Sequence, residues 1–257
     1  MPPTTHLDLC RAYAALMRPS EYFSQATAAR AHGIPLPWRL EAESLHVTAV
    51  LPAGRPRGRG VHGHAVAPEL ARFVTVGGLR VSHPVQAWCE LATTLTLREL
   101  IAMGDALVRR QHPLATMTEL ADAVLRWRGR RGCVALSEAL RFIRPRTDSW
   151  EETMLRLDLM DAGLPDPEVN VEIRDRDGRF IALGDLAFRE YRVLAEYDGQ
   201  QHRTDDRQYQ RDVERLDDLA RLGWRTVRFT RLHRGPARTE RIGRVRSALH
   251  ARGWQPG

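Results

Sequence analysis

The chain has no lysine. All 39 of its Lys-plus-Arg residues are arginine, a bias that a GC-rich coding sequence explains, and any motif that needs an ammonium group is incomplete here. Cysteine is almost as scarce. Cys10, Cys89 and Cys133 are far apart, odd in number and never in a C-x-x-C pair. That argues against a disulfide framework or a zinc site and for a reducing cytoplasm. Long apolar runs are missing as well, so no segment reaches the ~20 residues that a membrane-spanning helix needs. The opening MPPTTHLDLC has no basic stretch followed by an apolar one, so no signal peptide is expected. Acids are scarce in one region: residues 221–257 hold ten arginines and a single acid, Glu240.

What remains has an ordinary soluble composition, 43% hydrophobic and 28% charged, in 257 residues. That length allows two domains, each able to bury a core. Arg144-Pro145-Arg146 is the expected boundary between 1–146 and 147–257. Residues 1–146 hold 19 arginines against 11 acids (+8), residues 147–220 hold 10 against 20 (−10), and the remainder is +9. Acids that hold a cation, flanked by arginines that hold a phosphate backbone, would produce this pattern. Solvated charged faces are the plainer reading of the same runs.

In the first part, helical spacing marks residues 7–17 and 25–32, with Ser24 as cap, Gly33 as stop and Pro19 between. Such a pair fits a helix-turn-helix or winged-helix unit, or two helices that merely pack. Residues 45–51 read as a strand. Residues 52–64, PAGRPRGRGVHGH, read as an exposed loop in which Arg55, Arg57 and Arg59 alternate and are placed to grip phosphates. His62 and His64 alternate there too, but without the Cys or acidic companions of a metal site. Residues 73–76 and 79–81, split by Gly77-Gly78, read as a hairpin. After Pro84, helical spacing covers 85–92, 97–110, 117–127 and 134–143. The expectation for 1–146 is a mixed, mostly helical domain that binds DNA or a partner.

The densest chemistry lies in residues 184–202, GDLAFREYRVLAEYDGQQH. Two apolar runs, 183–188 and 193–197, flank four polar residues and form a hairpin signal. With the turn centred between Glu190 and Tyr191, Phe188 pairs with Val193, Ala187 with Leu194 and Asp185 with Glu196. Period-2 alternation then places Asp185, Glu196 and Asp198 on one face. Opposed carboxylates repel unless a cation lies between them, and a divalent metal is one such cation. An exposed polar face with chance acids is the alternative. Ahead of the hairpin, Asp148 or Ser149 caps a helix with Glu151 and Glu152 in its first turn. Glu152 also stands four residues from Arg156, the spacing of a helix ion pair. Residues 169–173 read as a strand and RDRDGR, 174–179, as a turn. Residues 205–222 read as a helix that leaves Arg207, Arg211 and Arg215 more exposed. Residues 226–230 read as a half-buried strand and 238–251 as a basic helix.

These residues carry a resemblance. Ser149 with Glu152, then Asp185, then Glu196, Asp198, Gly199 and His202, then Asp212 with Arg215, and Gly223, Trp224, Arg228 and Phe229 follow the order found in uncharacterised bacterial proteins with a very-short-patch-repair-like (Vsr-like) endonuclease domain. That domain belongs to the PD-(D/E)xK superfamily. The match spans roughly residues 147–229. It implies an α+β chain with a C-terminal αβββαβ core, similar to restriction endonucleases. The chain departs from the superfamily at the lysine of E-x-K, where Asp198 stands. The first part is similar to the middle region of the same proteins and, faintly, to abortive-infection antitoxins.

The resemblance implies a DNA endonuclease that uses Mg²⁺ or Mn²⁺. Asp185 and Glu196 would hold the metal, and Asp198 or Glu152 would hold its water or a second ion. His202 would donate a proton to the leaving oxygen, unless it is a plain loop histidine. Arg55, Arg57, Arg59, Arg211, Arg215, Arg228 and Arg231 would contact nucleic acid. No organic cofactor and no membrane partner are expected, and a homodimer is left open. A nuclease fold serving as a DNA-binding or antitoxin-like regulator is the alternative, with an RNA nuclease as a third reading.

Overall fold

The computed structural model describes residues 5–40, 44–198, 206–230 and 238–256, without the side chains of 198, 206–209 and 230. Gly199, His202 and Arg231 therefore lie outside the described residues, as does the side chain of Asp198. The fold is α+β and divides into two compact units, Met1–Ile143 and Arg144–Gly257.

In the first unit, α1 (His6–Ala14) and α2 (Gln25–Ala31) are separated by a strand, β1 (Glu21–Phe23), that no periodicity announces. Three residues are too few to show alternation, and all three are buried. The strand is nonetheless central. It joins β2 (Leu45–Val50) antiparallel and β5 (Leu79–Ser82) parallel in a sheet of order β3-β2-β1-β5-β4. The two helices are consequently not a helix-turn-helix pair. The expected loop of residues 52–64 is also shorter than its composition indicates. Its last residues begin β3 (Val61–Val66), which pairs parallel with β2. Gly63 makes this close return feasible, because a Cβ there would collide with the Pro56 carbonyl. β4 (Phe73–Val76) and β5 form the expected hairpin, with Gly77 and Gly78 both at positive φ (55° and 81°) as a type I′ turn requires. Four helices complete the unit: α3 (Pro84–Glu90), α4 (Leu97–Leu107), α5 (Met117–Arg126) and α6 (Cys133–Phe142). Thr96 and Thr116 each cap a helix through a reciprocal box with Glu99 and Glu119. Trp88, fully buried, donates its indole N–H to Leu100 O at 2.9 Å.

The second unit runs α7 (Trp150–Asp161), β6 (Glu168–Arg174), β7 (Phe180–Phe188), β8 (Val193–Asp198), α8 (Asp206–Arg221), β9 (Arg225–Thr230) and α9 (Arg238–His250). This is the expected αβββαβ order followed by the expected C-terminal basic helix. The sheet order is β6-β7-β8-β9, antiparallel except for the parallel pair β8–β9. Side-chain alternation sends Val193 and Ala195 to one face with Leu155, Leu159, Phe229, Val245 and Leu249. Leu194 goes to the other with Leu219 and the partly buried Leu216 of α8. The acid-rich turn after β6 is a plain hairpin turn. Asp175 Oδ1 accepts from the amides of Asp177 and Arg179 at 3.0 and 2.9 Å.

Candidate functional site

The β7–β8 register agrees with the hairpin arithmetic as far as it is paired: Phe188↔Val193, Ala187↔Leu194 and Leu186↔Ala195. At Asp185 the pairing stops. The Asp185 Oδ2 accepts a hydrogen bond from the backbone amide of Tyr197 at 2.8 Å. The expected cross-strand pair of Asp185 with Glu196 is thereby replaced. Two carboxylates held face to face in a ladder repel, and here each acid has its own partner instead.

The partner of Glu196 is a cation from the chain itself. Arg215 Nη1 and Nη2 reach Glu196 Oε1 and Oε2 at 2.8 and 3.1 Å, a two-pronged pair. Leu216 and Leu219 pack on the α8 face of the sheet, and Arg215 beside them reaches the same face of β8. Glu196 is 6% exposed. The Glu196 carboxylate raises the Arg215 pKa above its ordinary value. This corrects the expectation that Arg215 stands exposed for nucleic acid. A guanidinium beside a buried carboxylate is far better placed on that carboxylate than in water.

Glu152 lies at the start of α7 and is buried, with 7% exposure. Ser149 caps the helix by accepting from the Glu152 amide at 3.1 Å, and its hydroxyl donates to Glu152 Oε1 at 2.8 Å. Glu152 Oε2 accepts from the Asp148 amide at 3.1 Å and from Asn170 Nδ2 at 3.0 Å. Burial pushes the Glu152 carboxyl above its usual range against the pull of those donors. Asp185 is driven further, to about 8. Burial is the largest cause, followed by the Glu152 carboxylate, with Glu196 adding to it, while the Tyr197 amide and Arg215 pull the other way. Glu152, Asp185, Glu196 and Arg215 are therefore one electrostatic cluster, drawn from α7, β7, β8 and α8.

Sequence reasoning missed two members of this setting. Asn170 sits in the middle of β6 with φ 47° and 1% exposure. Arg146, with φ 76°, accepts from Asn170 Nδ2 at its carbonyl (2.7 Å) and donates from Nη2 to Asn170 O (3.2 Å). The sole hint was an asparagine, a poor strand former, inside EVNVEI.

Glu152, Asp185 and Glu196 offer the oxygen donors that a hard cation takes, and Asp185 resists ionisation chiefly through burial, with the other two carboxylates adding to it. They are not a ready cage. Among the described residues, no three His, Cys, Asp or Glu side chains stand grouped to hold a metal ion. The arginines expected to contact nucleic acid divide into sets. Arg55, Arg57, Arg59 and Arg211 are exposed. Arg228 is half-buried on β9, directly across from Glu196. In α9, Arg238 and Arg241 are engaged internally, bonding Asp158 of α7 at 2.8 and 3.1 Å, and Arg244 lies over the Phe229 ring. In the first unit, His62 and His64 belong to β3 rather than a loop. His64 is hydrogen-bonded between Gln25 Nε2 (3.2 Å) and His46 Nδ1 (3.1 Å).

The chain is 33% identical over 157 residues to two uncharacterised proteins, Rv2248 and MT2308, from two strains of Mycobacterium tuberculosis. The match covers 61% of this chain and 57% of each relative, so the chain spans little more than half the length of the proteins it resembles. No family model matches the chain. No solved structure matches it either. No described helix is long and apolar enough to cross a membrane.

Proposed function

We propose that the unit from Arg144 onward is a metal-dependent endonuclease acting on DNA in the cytoplasm, of the PD-(D/E)xK kind with a Vsr-like domain. One observation carries the reading. Asp185 is held largely protonated near neutral pH by burial and by two further carboxylates, Glu152 and Glu196. Perturbed acids of this sort concentrate at functional sites. The αβββαβ order supports it, as does the exposed arginine of the loop and of α8.

Asp185 and Glu196 would hold Mg²⁺ or Mn²⁺, with Glu152 beside them. When bound, such a cation lowers the pKa of water and polarises a phosphate. The chain's own residues do the rest. Glu152, fixed by Ser149 and the Asp148 amide, orients the attacking water. Arg215 holds the Glu196 carboxylate in place through its two-pronged pair. Arg55, Arg57, Arg59 and Arg211 grip phosphates, and His202 hands a proton to the leaving oxygen.

The closed Glu196–Arg215 pair favours a second reading, a nuclease fold used as a DNA-binding or antitoxin-like regulator. Plasmid and oligonucleotide cleavage in Mg²⁺ or Mn²⁺ separates the two. The enzyme cuts, and Asp185→Ala lowers the rate by about a thousandfold or more while DNA binding without metal is unchanged or tighter. If neither protein cuts single-stranded, duplex, mismatched or branched DNA, the regulator reading replaces the enzyme.

A further inference from the structure

We propose that Asn170 is a positioning residue for this site, acting with Arg146 through Glu152; the inference rests on the endonuclease reading. Asn170 falls between the pairs Val169↔Leu186 and Val171↔Gly184, which places it across from Asp185. Its amide donates two hydrogen bonds, to Glu152 Oε2 and to the Arg146 carbonyl. Its own carbonyl accepts from the Arg146 guanidinium. Both backbones adopt left-handed φ, 47° and 76°, which residues with a Cβ adopt at a cost.

A strand that only had to pair would use a β-branched residue here and remain extended. A brace for the start of α7 is already provided by Ser149, whose hydroxyl holds both ends of Glu152. What the left-handed turn at Asn170 adds is direction: it aims a donor from β6 at the Glu152 oxygen that the cap hydroxyl does not hold. The clasp between Arg146 and Asn170 thus fixes the Glu152 carboxylate from the strand side, on the strand that runs alongside Asp185. Strain retained at a buried amide that touches an acid of the cluster is explained by orienting that acid.

Asn170→Gly tests this, because glycine accepts φ 47° and removes only the amide. In full-length protein we expect a folded variant with the wild-type KM for DNA, kcat lowered about tenfold, and several-fold more Mn²⁺ needed for the half-maximal rise in melting temperature. On a Glu152→Ala background, adding Asn170→Gly should leave the Mn²⁺ requirement where Glu152→Ala alone puts it. Asn170→Asp, which keeps shape and tolerates the same φ but turns an acceptor toward Glu152, should repeat the loss and serves if the glycine variant is too unstable. Wild-type kcat and Mn²⁺ response in both variants would overturn the proposal, as would equal added loss on the Glu152→Ala background. A wild type that neither cleaves nor responds to Mn²⁺ would overturn the endonuclease reading itself, and this one with it.

Discussion

Among the described residues, burial opposes the ionisation of Glu90 in the first unit and of Asp185 and Glu152 in the second, and Glu90 and Asp185 are treated differently. Glu90 at the end of α3 is raised to about 7, with burial the dominant cause. Its oxygens are met by neutral donors: the Gln25 amide at 2.9 Å, the Ser82 hydroxyl at 2.9 Å and Gln86 Nε2 at 3.2 Å. Asp185 is raised to about 8, and to burial are added two more carboxylates against a single backbone amide and a nearby guanidinium. Glu90 is supplied with the hydrogen bonds that a structural group needs, and it ties down Gln25 at its strained φ of 49°. Asp185 has one backbone donor and faces two further carboxylates. The contrast separates a buried acid satisfied by neutral donors from one whose raised pKa also draws on like charge, and only the second combines burial with specific charged neighbours in the pattern of a functional-site candidate.

The largest effect that would break the comparison comes from Arg215. Arg215→Ala leaves Glu196 buried without its cation and should cost about 3 kcal/mol of stability, read by chemical denaturation. Mn²⁺ should restore more of that loss than it adds to the wild type, because a cation then occupies the vacated side of Glu196. Equal Mn²⁺ gains in both proteins would detach the metal from Glu196.

Glu90→Ala comes next. It strands the Gln25 amide and the Ser82 hydroxyl and should cost about 1–2 kcal/mol, while cleavage by the folded fraction is unaffected. Asp185→Ala should do the reverse, removing cleavage at little or no cost in stability. If Glu90→Ala also abolished cleavage, the division of roles would fail.

The pH dependence is the smallest and the sharpest test. Asp185 has a folded pKa raised above its unfolded value, from 3.8 to about 8. Its contribution to stability is fully present below about pH 4 and is lost as pH rises through about 8. Glu90 acts in the same sense, with its loss complete past about 7. Without metal, the melting temperature should therefore fall between about pH 4 and about pH 8. Asp185→Asn should flatten the upper part of that fall and Glu90→Gln the lower part. With Mn²⁺ present the fall should shrink between about pH 6 and 8 in the wild type, since the cation replaces the proton, while the smaller fall that remains in Asp185→Asn should be the same with and without Mn²⁺. Identical profiles with and without Mn²⁺ would place the metal elsewhere.

The sequence by itself determined most of what is local. The period of 3.6 in α3 to α9, the Gly77-Gly78 turn, the caps at Thr96, Thr116 and Ser149, and the β7–β8 register all follow from short-range rules about dihedral freedom and side-chain direction. Element order in the second unit followed from the same rules. Tertiary structure decided what depends on partners far apart in the chain. β1 becomes the centre of its sheet only because β2 and β5 flank it, and β3 leaves a loop-like composition because β2 offers it hydrogen bonds. The same holds at the candidate site. Hairpin spacing paired Asp185 with Glu196 and the resemblance added Glu152, but neither could say which cation would answer them. Arg215 answers Glu196 across 19 residues, and Asn170 answers Glu152 across 18. Charge and hydrogen-bond demand act through space and are satisfied by whichever group the packed sheet and helices bring within about 3 Å.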